Sequence, residues 1–157
     1  MAYLIDGNNF LGHISPSEIR DSRSRYVLVL KLLAFQGQRK SRIFLVFDGP
    51  PDTNLEALVQ ERKKFFIIYP PRGQKADAVI QEILDGQSDL RRFFVVTSDR
   101  ELGAFARGQG ASVLKPREFN QELRRVLRER RKGRELEKNN QSLTSLEVRL
   151  WKDVFGE

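Results

Sequence analysis

Short apolar runs rich in β-branched and aromatic residues alternate along the chain with segments whose apolar residues recur every three or four positions. Tyr3 to Ile5, Ile43 to Phe47, Phe65 to Tyr69, Phe93 to Val96 and Ser112 to Leu114 have the composition of strands. Ile-Phe-Leu-Val-Phe and Phe-Phe-Val-Val are apolar at successive positions rather than alternate ones, which is expected of strands covered on both faces. Helical spacing appears at Tyr26, Leu30 and Leu33, at Leu55, Leu58 and Arg62, and at Ala76, Val79, Ile80 and Ile83. Five strands joined by such crossovers predict an α/β fold, a three-layer α/β/α sandwich around a central, mainly parallel five-stranded sheet.

Boundary signals refine the pattern. Ser98 and Glu101 have the spacing of a capping box opening a helix through Phe105, and Pro116 with Arg117 introduces another that carries Phe119, Leu123 and Leu127. Gly133 and the polar run 139–142 look like a break. They divide a main domain, residues 1–132, from a tail, residues 133–157, in which Thr144 and Glu147 cap a short helix ending at Phe155. Trp151, spaced with Val148 and Phe155, is expected to dock that tail on the domain.

A chain of 157 residues is enough for one core that buries about two thirds of the unfolded surface. It contains no cysteine, which excludes disulfides and thiolate zinc sites and leaves any metal to oxygen ligands or to His13. Neither a signal-like start nor an apolar run of about 18 residues is present, so a cytoplasmic location without membrane contact is expected. Lys and Arg exceed Asp and Glu by 28 to 21, a net charge of +7, which favours polyanionic partners. Residues 117–138 hold nine basic and five acidic side chains, +4 of that total.

Open parallel sheets bind ligands beyond the carboxyl ends of their strands. Asp6 follows the first strand directly, Asp48 the second, and Asp99 stands just past Thr97 and Ser98 after the fourth. Asp77 occupies the first turn of the helix around Ala76, whose start faces the same rim. Each has an ordinary alternative. Asp77 and Asp99 suit helix first turns, and Asp-Gly-Pro-Pro and Asp-Gly-Asn-Asn suit turns. Together, four anions on one sheet edge would raise one another's pKa unless a cation neutralised them. Mg²⁺ or Mn²⁺ held in this way would suit phosphodiester hydrolysis.

The segments Leu-Ile-Asp-Gly-Asn-Asn-Phe, Val-Phe-Asp-Gly, Lys-Ala-Asp-Ala-Val-Ile and Val-Val-Thr-Ser-Asp-Arg-Glu, in that order, resemble the NYN domain family, and within it the YacP-like ribonucleases. The likeness covers about residues 1–130, with a further similarity in the closing segment Leu-Glu-Val-Arg-Leu-Trp-Lys-Asp-Val-Phe-Gly. It implies a PIN-like fold and a metal-dependent endoribonuclease with Asp6, Asp48, Asp77 and Asp99 on the family's acidic positions and Asn9 on its amide position. Asn9 would hold a metal-bound water or the Asp6 carboxylate, or else shape the turn after the first strand. Ser98 would cap its helix or touch substrate. Many relatives carry a second acid after the helix-start Asp, where this chain has Ala78; Glu101 is a candidate substitute, against its place in the capping box.

Arg72 and Lys75 precede Asp77 and Arg100 follows Asp99, so cations flank the acids and are candidate phosphate contacts, with solvated surface charge as the alternative. Arg124, Arg125, Arg128 and Arg131 would extend the footprint or bind ribosomal RNA, or form a plain solvated helix face. Phe10, Tyr69 and Trp151 fit core packing better than base stacking. His13, placed in a loop after the first strand, is expected to be a surface residue without chemistry. The expected partner is RNA, free or presented as mRNA or rRNA on a ribosome. A noncatalytic RNA- or ribosome-binding adaptor and a DNA-directed nuclease are the competing expectations.

Overall fold

The computed structural model describes residues 1–14, 22–138, 149 and 152–155. Strands β1 (Ala2–Asp6), β2 (Arg42–Val46), β3 (Phe65–Ile68), β4 (Phe93–Val96) and β5 (Ser112–Leu114) form one sheet in the order β3-β2-β1-β4-β5. Every neighbouring pair is parallel. Parallel neighbours need crossovers, and helices α1 (Gly7–Ile14), α2 (Ser22–Arg39), α3 (Thr53–Val59), α4 (Ala76–Asp85), α5 (Arg100–Gly108) and α6 (Pro116–Lys138) stand between or after the strands.

The successive apolar positions of the strands follow from two cores. In β1, Tyr3 and Ile5 point into one cluster with Phe10 of α1, Leu28, Val29, Leu32 and Phe35 of α2, and Phe119 and Leu123 of α6. Ala2 and Leu4 point the other way, towards Val79, Ile80 and Leu84 of α4 and Leu102 and Ala106 of α5. Both faces are covered, as the three-layer expectation required. The first cluster is aromatic at its centre: Phe119 lies 5.3 Å from Tyr3, 5.6 Å from Phe10 and 5.5 Å from Phe35 between ring centroids.

Four local expectations change. The segment after β1 is helix α1 rather than a loop or turn. Gly7 makes this possible: a Cβ there would stand 2.6 Å from the Phe47 ring and 2.9 Å from the Val46 carbonyl oxygen, so only glycine lets the chain turn into a helix against β2. Gly7→Ala is expected to cost roughly 1–3 kcal/mol by overpacking, seen as a lower urea midpoint at an unchanged m-value.

Helix α3 ends at Val59, and Arg62 lies in the turn beyond, donating its backbone N–H to the Val59 carbonyl at 2.9 Å. Helix α5 is capped by Asp99, not by a box of Ser98 and Glu101. Helix α6 passes through the expected break at Gly133 and runs to Lys138. A single glycine on an exposed stretch costs only about 1 kcal/mol, which the packing of Phe119, Leu123, Val126 and Leu127 outweighs.

The polar run 139–142, the cap at Thr144 and Glu147, Val148 and Trp151 lie outside the described residues. Phe155 packs against the α2–α6 core, and its carbonyl is 3.5 Å from Nη1 of Arg131. Among the described residues no helix is long and apolar enough to cross a membrane.

Candidate active site

The strand order reverses between β1 and β4, so their carboxyl ends flank the crevice where open α/β sheets bind ligands. Asp6 ends β1, Ser98 and Asp99 follow β4, and Asp48 follows β2 on the other side of β1. Helices α1, α4 and α5 all begin at this rim. Their free N-terminal amides explain why acids are tolerated here.

Each acid is tied to one of those helix ends. Asp6, which is 7% exposed, accepts the backbone N–H of Asn9 in the first turn of α1. Oδ1 of Asp48 accepts the backbone N–H of Ala76 at 3.0 Å, so the end of β2 caps α4, whose own N-cap residue, Lys75, makes no side-chain cap bond. Oδ1 of Asp99 accepts the backbone N–H of Leu102 at 3.0 Å, and its own N–H is held by Oγ1 of buried Thr97 at 3.1 Å. Asp77 lies in the first turn of α4.

Capping does not by itself exclude clustering, because helices α1, α4 and α5, whose first turns satisfy these acids, all begin at one rim of the sheet. The electrostatics of Asp6 record the convergence. Burial raises its pKa from the ordinary 3.8 to about 7; the Asn9 amide opposes this, and the charges of Asp48, Asp77 and Asp99 add to it. Glu101 is exposed and is not among the charges acting on Asp6. Among the described residues, no group of three or more His, Asp or Glu side chains is placed to hold a metal ion.

Asn9 clamps the crevice shut at its base. Its Oδ1 accepts the backbone N–H of Ser98 at 2.9 Å, and its Nδ2 donates to Oγ of Ser98 at 2.8 Å. The neighbouring Asn8 accepts the backbone N–H of Asp48 at 3.0 Å through its Oδ1. The two amides thus bind α1 to the ends of β4 and β2 and fix Asp6 between them. The turn-shaping role expected of Asn9 becomes a bridging one. Asn9→Ala is expected to lower stability by about 1–2 kcal/mol in a denaturant titration, through removal of a short hydrogen-bonded bridge.

Two further residues belong here, Asn8 and His13, the latter exposed as expected but on α1 rather than in a loop. Nε2 of His13 is 2.8 Å from Oγ of Ser98, and Asn8 is the second bridge. A helical reading of residues 7–14 would have found the first, since Asn9 and His13 are four apart and share a helix face. Among the candidate cations, Arg72, Lys75 and Arg100 are exposed, with Lys75 at the start of α4 and Arg100 at the start of α5. Phe10 is fully buried and Tyr69 stacks in a tilted contact 6.5 Å from Phe47, both as packing residues.

The expected basic face of α6 is partly neutralised. Arg125 pairs with Glu122 at 2.8 Å and with Glu129 at 2.9 Å, and Arg131 lies 3.6 Å from Glu135.

The whole-chain comparisons agree with this fold. A crystal structure of Rae1 (YacP) from Bacillus subtilis has a TM-score of 0.71 at 21% identity, covering 98% of this chain and 90% of that one. A tryptophan-to-leucine mutant of the same protein gives 0.67 at 24% identity, over 95% and 89%. At these identities the likeness establishes the fold. No curated protein matches the chain. The family model described as the YacP-like NYN domain matches residues 3–156, nearly the full length. The chain therefore belongs to the YacP-like NYN domain family, a group of nuclease-like domains with the PIN-like fold.

Proposed function

We propose that this protein is a divalent-metal-dependent endoribonuclease that hydrolyses RNA phosphodiester bonds at the rim formed by Asp6, Asp48, Asp77 and Asp99. The observation that carries this is the buried Asp6 carboxylate at the strand-order reversal, held near neutrality under the charge of three other acids. An all-oxygen donor set without cysteine fits a hard cation, Mg²⁺ or Mn²⁺. Magnesium takes one or two carboxylates directly and keeps several waters, so a finished group of three ligands is not a requirement.

Asp6 and Asp99 would be the direct ligands, with Asp48 and Asp77 completing the charge and orienting water. Asp48 and Asp99 each commit Oδ1 to a helix amide, and a carboxylate has a second oxygen for a cation. When bound, the ion acidifies an attacking water and offsets charge on the phosphate and the leaving oxygen. Arg72, Lys75 and Arg100 would draw the RNA backbone across the rim, and Ser98, steadied by Asn9 and His13, would contact the substrate through its hydroxyl. The substrate is single-stranded or exposed RNA, free or presented as mRNA or rRNA on a ribosome, encountered in the cytoplasm.

The test is incubation of end-labelled RNA and DNA with the protein in Mg²⁺, in Mn²⁺ and in EDTA, beside the variant Asp99→Asn. Internal cleavage of RNA that needs the ion and is abolished in the variant is expected. Ala78 in place of a family acid, with the ungrouped acids, favours a second function, a noncatalytic RNA- or ribosome-binding adaptor. That alternative predicts RNA binding with no ion-dependent cutting in the same assay.

A further inference from the structure

The candidate cations Arg72, Lys75 and Arg100 are exposed side chains. Arg25 differs from them because the fold fixes its head. It stands in the first turn of α2, 23 residues before Asp48, and is half-buried. Its guanidinium lies over the Phe47 ring, 4.9 Å from the centroid, and its Nη2 donates to the Asp48 carbonyl at 3.4 Å. Phe47 is fully buried and packs beside Tyr69, so the cation rests on a fixed aromatic shelf just past β2.

Both partners of Arg25 are neutral. A guanidinium has five N–H donors, and the Asp48 carbonyl takes one of them. Among the described residues no carboxylate forms an ion pair with Arg25. Oδ1 of Asp48 accepts from Ala76 instead, and Asp52, whose charge reaches Tyr69 as that of Arg25 does, uses its Oδ1 to cap α3. Nor is Arg25 among the charges acting on Asp6. The cation stands at the rim without serving as the counter-ion of its acids.

The position is also adverse to its helix. The first turn of α2 contains no acidic residue, and a cation there opposes the helix dipole. Helix stability therefore does not account for an arginine at this place, whereas an anionic ligand at the rim does. Strands β2 and β4 are both neighbours of β1, so Arg25 beside the end of β2 and Ser98 after β4 flank Asp6 on opposite sides. Adjacent strands are about 4.8 Å apart, which sets the two flanks roughly 10 Å from each other.

We propose that Arg25 is a phosphate-binding residue of this site, which grips the RNA backbone on the β2 flank beside the phosphate that is cut. The inference rests on the ribonuclease reading for its choice of RNA. The planar fork of a guanidinium matches two oxygens of a phosphate, and the ring beneath holds it flat. A contact of this kind positions the backbone and carries no sequence preference.

The experiment is fluorescence anisotropy of a labelled single-stranded RNA in EDTA, over a series of salt concentrations, on the wild type, Arg25→Met and Arg25→Lys. Without a cation the acids repel RNA equally in all three, so the differences isolate residue 25. Met keeps an apolar contact with Phe47 and removes the charge; Lys keeps the charge and removes the fork. Thermal melts check that both variants fold. Arg25→Met is expected to bind roughly 10-fold more weakly, with a slope of log K against log salt shallower by about 0.7, the share of one phosphate contact. Arg25→Lys should recover the slope and only part of the affinity. In Mg²⁺, Arg25→Met should raise KM by a similar factor and hold kcat within about twofold, as for a contact made equally to substrate and transition state.

A folded Arg25→Met with the affinity, salt slope and KM of the wild type would overturn the proposal, and the ribonuclease reading would stand if the wild type still cuts RNA. A lowered kcat with unchanged KM and slope would make Arg25 a structural anchor of the β2 end and overturn it equally. So would a wild type that binds no RNA. Should Arg25→Met melt early, Arg25→Lys decides: weaker binding at the same slope supports the fork, and wild-type affinity contradicts it. If the wild type cuts nothing in Mg²⁺ or Mn²⁺ while the slope still depends on residue 25, the ribonuclease reading fails and the Arg25 site stands.

Discussion

Asp6→Asn is expected to lower ion-dependent RNA cleavage by on the order of 100-fold or more, while making the cation-free protein more stable at pH 8. The two effects have one cause. Asp6 is buried and surrounded by the charges of Asp48, Asp77 and Asp99, so its ionised form is strained without a counter-ion. An asparagine keeps an oxygen for the Asn9 amide and removes the charge. The gain is bounded by the shift from 3.8 to about 7, at about 1.4 kcal/mol per pH unit, or up to roughly 4 kcal/mol. Melting in EDTA should therefore rise by several degrees in the variant. An inactive variant with a lower melting temperature would mean that Asp6 is a structural cap and nothing more.

A second large effect is expected in the wild type's own pH dependence. Below about pH 4 the Asp6 carboxyl is protonated in both the folded and unfolded chain and contributes no slope. Between about 4 and about 7 the folded state keeps a proton that the unfolded state has lost. The folded state then binds more protons, so the Asp6 contribution to stability falls as pH rises through that window and is fully adverse above it. A divalent cation at 100 times its dissociation constant adds about 2.7 kcal/mol to the folded state and acts on the ionised form. Melting curves across this range should decline with pH in EDTA and flatten in Mg²⁺ or Mn²⁺. In Asp6→Asn both the decline and the flattening should largely vanish. Equal profiles for the two proteins would contradict the assignment of the buried charge.

Much of this was legible in the sequence because a parallel sheet writes its pattern plainly. Phe93 to Val96 and Ile43 to Val46 are apolar at successive positions since helices cover both faces, and Asp6, Asp48 and Asp99 stand within three residues of a strand end. What escaped detection depends on contacts between distant segments. Asp-Gly-Asn-Asn has turn composition, and becomes helix only because Gly7 nestles against Phe47 and the amides of Asn8 and Asn9 find the ends of β2 and β4. Asp99 displaces Ser98 as the cap of α5 because Thr97 holds its N–H and Asn9 occupies the serine hydroxyl. The contact of His13 with Ser98 joins residues 85 apart: helical spacing puts His13 on the face of Asn9, and only the fold brings Ser98 to that face. The charge count of α6 likewise hid that Arg125 is neutralised by Glu122 and Glu129.

The claim on which the rest depends is that four carboxylates from four separate segments share a divalent ion. Mn²⁺ titration followed by electron paramagnetic resonance, on the wild type and on single Asp→Asn variants at positions 6, 48, 77 and 99, tests it without relying on a substrate. Saturable binding that weakens by roughly 10- to 100-fold in the variants is the expected result. Binding equally tight in all five proteins, or none in the wild type, would contradict it.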